Sequence, residues 1–131
     1  DQIEPFTLVL FQEEQLWQLR WNGSEKETIS LNIDQPHVWS SSTLYSQNVR
    51  RQRAKWFTEF IENISSLNEE SMMHFHRYTM SENTEFGLVI NRNDLLKTLS
   101  ITQMVIENNR LSLTHVDLQN EEIFPNNQTS F

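Results

Sequence analysis

The chain has 131 residues and carries 18 acidic against 10 basic side chains, for a formal net charge of -8, with no cysteine. That acidity argues against nucleic acid or an anionic membrane surface as partner. The lack of thiols excludes disulfides, thiolate metal sites and cysteine nucleophiles within this stretch.

The apolar share, 37 %, is low for a globular domain, and four Trp, two Tyr and eight Phe partly offset it, since each ring buries a large area. A single domain with a thin core is expected over residues 1–131. No apolar run is long enough to span a bilayer, and Asp1-Gln2-Ile3-Glu4-Pro5 does not read as a signal peptide, so the expectation is a soluble, cytoplasmic chain.

Phe6 to Phe11 is apolar on both faces apart from Thr7, the pattern of a central strand covered on both sides. Gln15 to Trp21 sets Trp17, Leu19 and Trp21 on one face and Gln18 and Arg20 on the other. Asn22-Gly23 supplies the positive φ of a tight hairpin turn. Glu27 to Ile33 alternates, with Ile29, Leu31 and Ile33 facing in, so an antiparallel meander of three strands is expected.

After Asp34-Gln35-Pro36, His37 to Ser40 reads as a short strand. It leads through a hydroxyl-rich turn to Ser46, a suitable N-cap for a helix from Gln47 to Ile64. Val49, Trp56, Phe57, Phe60, Ile61 and Ile64 mark its buried face. Asn68 caps a second helix, Glu69 to about Tyr78, whose two leading acids suit the helix dipole.

Gly87 to Ile90 reads as a short apolar strand and Asn91 to Asp94 as a turn. Lys97 to Glu107 and Arg110 to Leu118 form a long hairpin closed at Asn108-Asn109. The apolar phase slips between Leu113 and Val116, which suggests a bulge near His115. Residues 126–131 are polar and expected to fray. Strands, then helices, then strands point to an α+β fold with antiparallel sheets and two main helices.

The chemistry-bearing stretch is Ser40 to Thr43 with Ser46, followed by Arg50, Arg51 and Arg53 in the first turns of the helix. Cations there oppose the dipole, so hydroxyls, free N–H groups and arginines together suit a carboxylate or phosphate. The plainer alternative has the serines as cap and turn residues and the arginines paired with surface carboxylates. His74 and His76 point to nearly opposite sides of their helix, and His37 and His115 are isolated, so no metal is expected. With no G-x-S-x-G elbow and only two glycines, neither a serine nucleophile nor a phosphate-cradling loop is supported.

Several stretches carry a family resemblance: Ile3 to Phe11, Leu16 to Gly23, His37 to Ser46, Ile90 to Asn93 and Lys97 to Thr102. In that order they resemble the C-terminal half of a bacterial NRDE-family protein, also called the transport and Golgi organisation family, of Bacteroidetes-like type. The resemblance implies an N-terminal-nucleophile-hydrolase type of fold, the αββα sandwich of two antiparallel sheets between helical layers. It also implies a longer protein opening with Met-Cys, whose Cys serves as nucleophile and is absent here. Asn91-Arg92-Asn93-Asp94 matches the family's name by letters only and falls in the wrong half.

On that reading the chain is the scaffold and pocket-wall portion of an amide-bond hydrolase-like protein, with no catalytic residue and no cofactor of its own. Trp39, Ser41, Ser42, Thr43, Arg50 and Lys97 are the candidate ligand-binding residues. The expected partners are the missing N-terminal half or a second copy, with a small-molecule amide or carboxylate as ligand. The alternatives are a non-catalytic binding or trafficking module, handling lipid or haem as the family resemblance implies, and a plain protein-interaction domain.

Overall fold

Three strands in chain order form the first sheet: β1 (Phe6–Gln12), β2 (Gln15–Trp21) and β3 (Lys26–Leu31), all antiparallel. The computed structural model describes residues 3–41, 43–108 and 110–124, and the backbone of 129–130. Its backbone clusters into two units, Asp1–Ala54 and Lys55–Phe131, with the boundary inside the long helix.

Because each hairpin joins spatial neighbours, β2 is the central strand and β1 an edge, contrary to the sequence expectation for Phe6 to Phe11. Every residue of β1 is exposed, so its apolar run is not covered on either face. Register explains why both faces attract apolar residues. Thr7, Arg20 and Glu27 form one cross-strand row, as do Val9, Gln18 and Ile29, and Phe11, Leu16 and Leu31. Phe6, Leu8, Leu10, Trp17, Leu19 and Trp21 occupy the opposite face, because opposed residues share a side.

The tight turn lies at Glu13-Glu14, not at Asn22-Gly23. Gln12 pairs with Gln15, and the two glutamates hold φ of 50° and 59°, the pattern of a two-residue type I′ hairpin. Asn22 instead begins a four-residue turn in which its Oδ1 accepts from the backbone N–H groups of Ser24 (2.9 Å) and Glu25 (2.8 Å). Gly23 alone takes positive φ there, 101°.

His37 to Ser40 is extended but joins no ladder, so the expected short strand is absent. Helix α1 (Gln47–Asn63) starts where the sequence places it: Ser46 Oγ accepts from Val49 N–H at 3.4 Å, and Ser46 C=O from Arg50 N–H at 3.0 Å. Helix α2 (Glu69–Tyr78) has a full capping box. Asn68 Oδ1 accepts from Ser71 N–H at 2.9 Å while Ser71 Oγ accepts from Asn68 N–H at 3.0 Å. Phe57 and Phe60 of α1 pack on Phe75 of α2 with ring centroids 5.6 and 4.6 Å apart, and Phe57 and Phe75 are buried.

Gly87 to Ile90 forms no strand; the backbone is folded by hydrogen bonds from Asn83 N–H to Met80 C=O and from Gly87 N–H to Asn83 C=O. A Cβ on Gly87 would lie 2.4 Å from Met80 C=O and 2.6 Å from Asn83 C=O, so no larger residue fits. The short hairpin β4 (Asn91–Arg92) and β5 (Leu96–Lys97) follows, turning through Asn93 and Asp94 at φ 54° and 58°. Both residue types tolerate that region, as expected.

The third sheet contains β6 (Ser100–Glu107), β7 (Arg110–Asp117), β8 (Glu122–Phe124) and β9 (Thr129–Ser130). Pairing of β6 with β7 runs unbroken from Ser100 opposite Asp117 to Glu107 opposite Arg110, so there is no bulge at His115. The apparent phase slip reflects two apolar faces. Val116, with Ile101 opposite, is buried on the side where Gln103 Nε2–H donates to Glu69 C=O of α2; Leu111 and Leu113 lie on the other side. Thr129 and Ser130 pair with Leu111 and Arg110, so this part of the polar end is not frayed; residues 126–128 and 131 lie outside the described residues.

The fold is therefore α+β, with three antiparallel sheets and two helices among the described residues. Among the described residues, no helix is long and apolar enough to cross a membrane.

Replacing Gly87 by Ala forces a Cβ into two backbone carbonyls and is expected to cost about 2–3 kcal/mol, read as a lower urea midpoint. Replacing Glu13-Glu14 by Asn-Gly relieves two left-handed glutamates and should raise stability by about 1 kcal/mol on the same scale. Asp117 accepts from the backbone N–H groups of Gln119 and Asn120 and from Asn120 Nδ2–H, which holds its carboxyl below the usual aspartate value. A depressed carboxyl stabilises the fold above the unfolded-state value and loses that contribution as pH falls through the folded-state value. The stabilities of the parent chain and Asp117→Asn should accordingly converge in urea titrations as pH falls below 3.8, the ordinary aspartate value.

Candidate functional site

The polar face of β2 meets the chain again in the first unit. Gln18 Oε1 accepts from Trp39 Nε1–H at 2.6 Å, which ties the extended His37 to Ser41 segment across the sheet. His37 secures the other end: its ring stacks on Trp39 with centroids 5.7 Å apart, and its Nε2 lies 2.7 Å from Asn32 C=O.

This tie creates a recess of about 220 Å³ lined by Thr7, Gln18, Arg20, Val38, Trp39, Ser40, Arg50 and Ala54. Arg50 and Ala54 are one helical turn apart, so the wall is the flank of α1 and not its N-terminal N–H groups. A second recess of about 280 Å³ shares Thr7, Trp39 and Ser40 and adds Pro5, Phe6, Ser41 and Thr43.

Two guanidinium groups face the first recess in different states. Arg20 Nη2 is 2.6 Å from Glu27 Oε2, its cross-strand neighbour, so its charge is largely answered. Arg50 Nε is sealed from solvent and has no hydrogen-bond partner among the described residues. A buried N–H of a charged group left unmade costs on the order of 1–3 kcal/mol. The first turn of α1 carries no acidic side chain that could supply one locally.

The structure thus brings together Trp39 and Arg50 in one recess, and Trp39, Ser41 and Thr43 in the other. Ser41 Oγ and Thr43 Oγ1 lie 3.0 Å apart, and Ser41 Oγ accepts from Leu44 N–H at 3.2 Å, so these hydroxyls also hold the turn. Ser42 lies outside the described residues. Lys97 belongs to the second unit, where its Nζ is 4.0 Å from Asp94 Oδ1.

Thr7, Gln18 and Arg20 were not among the sequence candidates, while Ser40 stood in the hydroxyl cluster singled out there. Their signal was nevertheless present: Gln18 and Arg20 form the polar phase of β2, and Thr7 is the one polar residue within Phe6 to Phe11. What the pattern lacked was the register that puts Thr7 beside Arg20.

The second unit has two larger, open grooves. One, about 730 Å³, has Glu69, Glu70 and Glu107 in its rim, and the other, about 700 Å³, has Glu82 and Glu85; neither has a cation in its wall. On β6 and β7, Thr102 Oγ1 is 2.8 Å from His115 Nδ1, but Asp117, two residues along, is spent on the following turn and does not orient the imidazole. No cluster of three or more potential metal ligands occurs among the described residues.

No family model matches the chain, and no curated protein or solved structure matches it either.

Proposed function

We propose that this chain is a non-catalytic wall of a small-molecule binding site, and that its recess takes the carboxylate of an amide-containing ligand. The observation that carries the reading is Arg50, which lines a recess with Trp39, Ser40 and Thr7 and whose Nε has no hydrogen-bond partner among the described residues. A carboxylate is the acceptor whose charge and geometry best suit an arginine.

The indole ring of Trp39 supplies an apolar surface beside it, and the side-chain amide of Gln18 and the hydroxyl of Ser40 suit a neighbouring amide group. The NRDE resemblance gives this reading its wider frame: the pocket-wall portion of an N-terminal-nucleophile-hydrolase-like protein, acting in the cytoplasm, with the nucleophile carried elsewhere. The stretch His37 to Ser46, which bears much of that resemblance, is also the stretch that forms both recesses.

A protein-interaction role is the second reading, favoured by the exposure of apolar side chains on both faces of strand β1.

N-acetylglycine, which joins one amide to one carboxylate, is the probe. Titrated into ¹⁵N-labelled chain, it should shift the Trp39 indole N–H and Arg50 Nε–H signals saturably. Arg50→Ala should weaken binding by about tenfold or more, and Arg50→Lys should not restore it, because Lys lacks the Nε donor. Absence of a saturable shift, or equal affinity in Arg50→Ala, would overturn the carboxylate reading.

A further inference from the structure

We propose that a second copy of this chain pairs with the free edge of β1, antiparallel and about a two-fold axis through Val9. The argument begins with which backbone groups are free. A two-residue hairpin makes its closing pair, Gln12 and Gln15, a hydrogen-bonded pair, and the bonded pairs then recur every second residue. Phe6, Leu8, Leu10 and Gln12 therefore bond to β2, while Thr7, Val9 and Phe11 turn their N–H and C=O groups outward.

Among the described residues no strand pairs with this edge, and its own sequence carries none of the usual protections. Phe6–Gln12 has no charge, no proline and no bulge, and its large apolar side chains are 38–51 % exposed on both faces. The other edge of the same sheet, β3, carries Lys26 and Glu27, charges that discourage such pairing. In the second unit, the edge strand β6 is tied to α2 through Gln103 and ends in Glu107.

The edge is complementary to itself in one register. With Val9 opposite the partner's Val9, Thr7 faces the partner's Phe11 and Leu8 faces the partner's Leu10. Every outward N–H and C=O of Thr7, Val9 and Phe11 then meets its counterpart in phase. Sliding the pair by two residues brings Pro5, which has no N–H, or the left-handed Glu13 into the ladder. Aromatic, β-branched and leucine pairs are the cross-strand contacts that stabilise antiparallel sheets. No charged residue opposes another until Pro5 and Glu13 end the ladder, and a C2 pairing buries the same patch on both copies. The result is one continuous sheet in the order β3-β2-β1-β1-β2-β3. This inference stands apart from the carboxylate reading, since its bonds are main-chain bonds that do not involve Arg50.

Sedimentation equilibrium on the full chain, with amide hydrogen exchange, tests it. The expected result is concentration-dependent doubling of the 15.7 kDa mass, with protection of the Thr7, Val9 and Phe11 amides rising in parallel. Val9→Pro deletes an N–H that β2 does not use and should weaken dimerisation by about tenfold or more. Val9→Lys, which leaves the backbone intact, should do the same should the proline variant fold poorly. A chain that stays monomeric, a dimer unaffected by Val9→Lys, or protection of these three amides that ignores concentration would overturn the proposal. The last result would assign the edge to a segment of the chain itself.

Discussion

The cross-strand rows of the first sheet are the constraint on which the rest of the site depends. Thr7 opposite Arg20, and Val9 opposite Gln18, decide which side chains share a face, and a slip of one residue would send Gln18 and Arg20 to the other side. That register is set by the Glu13-Glu14 turn, whose left-handed backbone matches the twist of the strands at some cost in strain. Gln18 can then receive the Trp39 indole, and the segment leading to α1 is laid across the polar face of β2.

This arrangement leaves charge and apolar surface distributed in an unusual way for a chain of net charge -8. The arginines are concentrated near the start of α1. Arg53 sits over the ring of buried Tyr45, 4.2 Å from its centroid, and Arg50 turns into the recess. Cations at that end oppose the helix dipole, so their placement is explained by the groups they face and not by the helix itself. Meanwhile the buried apolar side chains among the described residues are few: Tyr45 in the first unit, and Phe57, Phe75, Ile90 and Val116 in the second. Apolar side chains are exposed on both faces of β1, which is also an edge strand of its sheet.

Much of this was legible in advance wherever a local rule governs. Ser46 and Asn68 announce helix starts because a short side-chain oxygen satisfies N–H groups that the first turn leaves unpaired, and both act as caps. The helical spacing of Phe57 and Phe60 announced the face that meets Phe75. Failures came where partners decide. Phe6 to Phe11 has the composition of a covered central strand, but composition carries no information on what covers it. Gly87 to Ile90 resembles a strand in its apolar run, yet the Met80, Asn83 and Gly87 hydrogen bonds fold it into a turn.

From the sequence alone came the α+β class, the two helices with their caps, and the long hairpin turning at Asn108. Each rests on periodicity, capping chemistry or turn preference, interactions that act within a few residues. Only tertiary structure decided that Arg50 lines one recess with Gln18, Arg20 and Thr7, that Lys97 lies near Asp94, and that β1 is an edge. Those outcomes depend on strand order and register, which are properties of pairs of segments and are written in no single stretch of the chain.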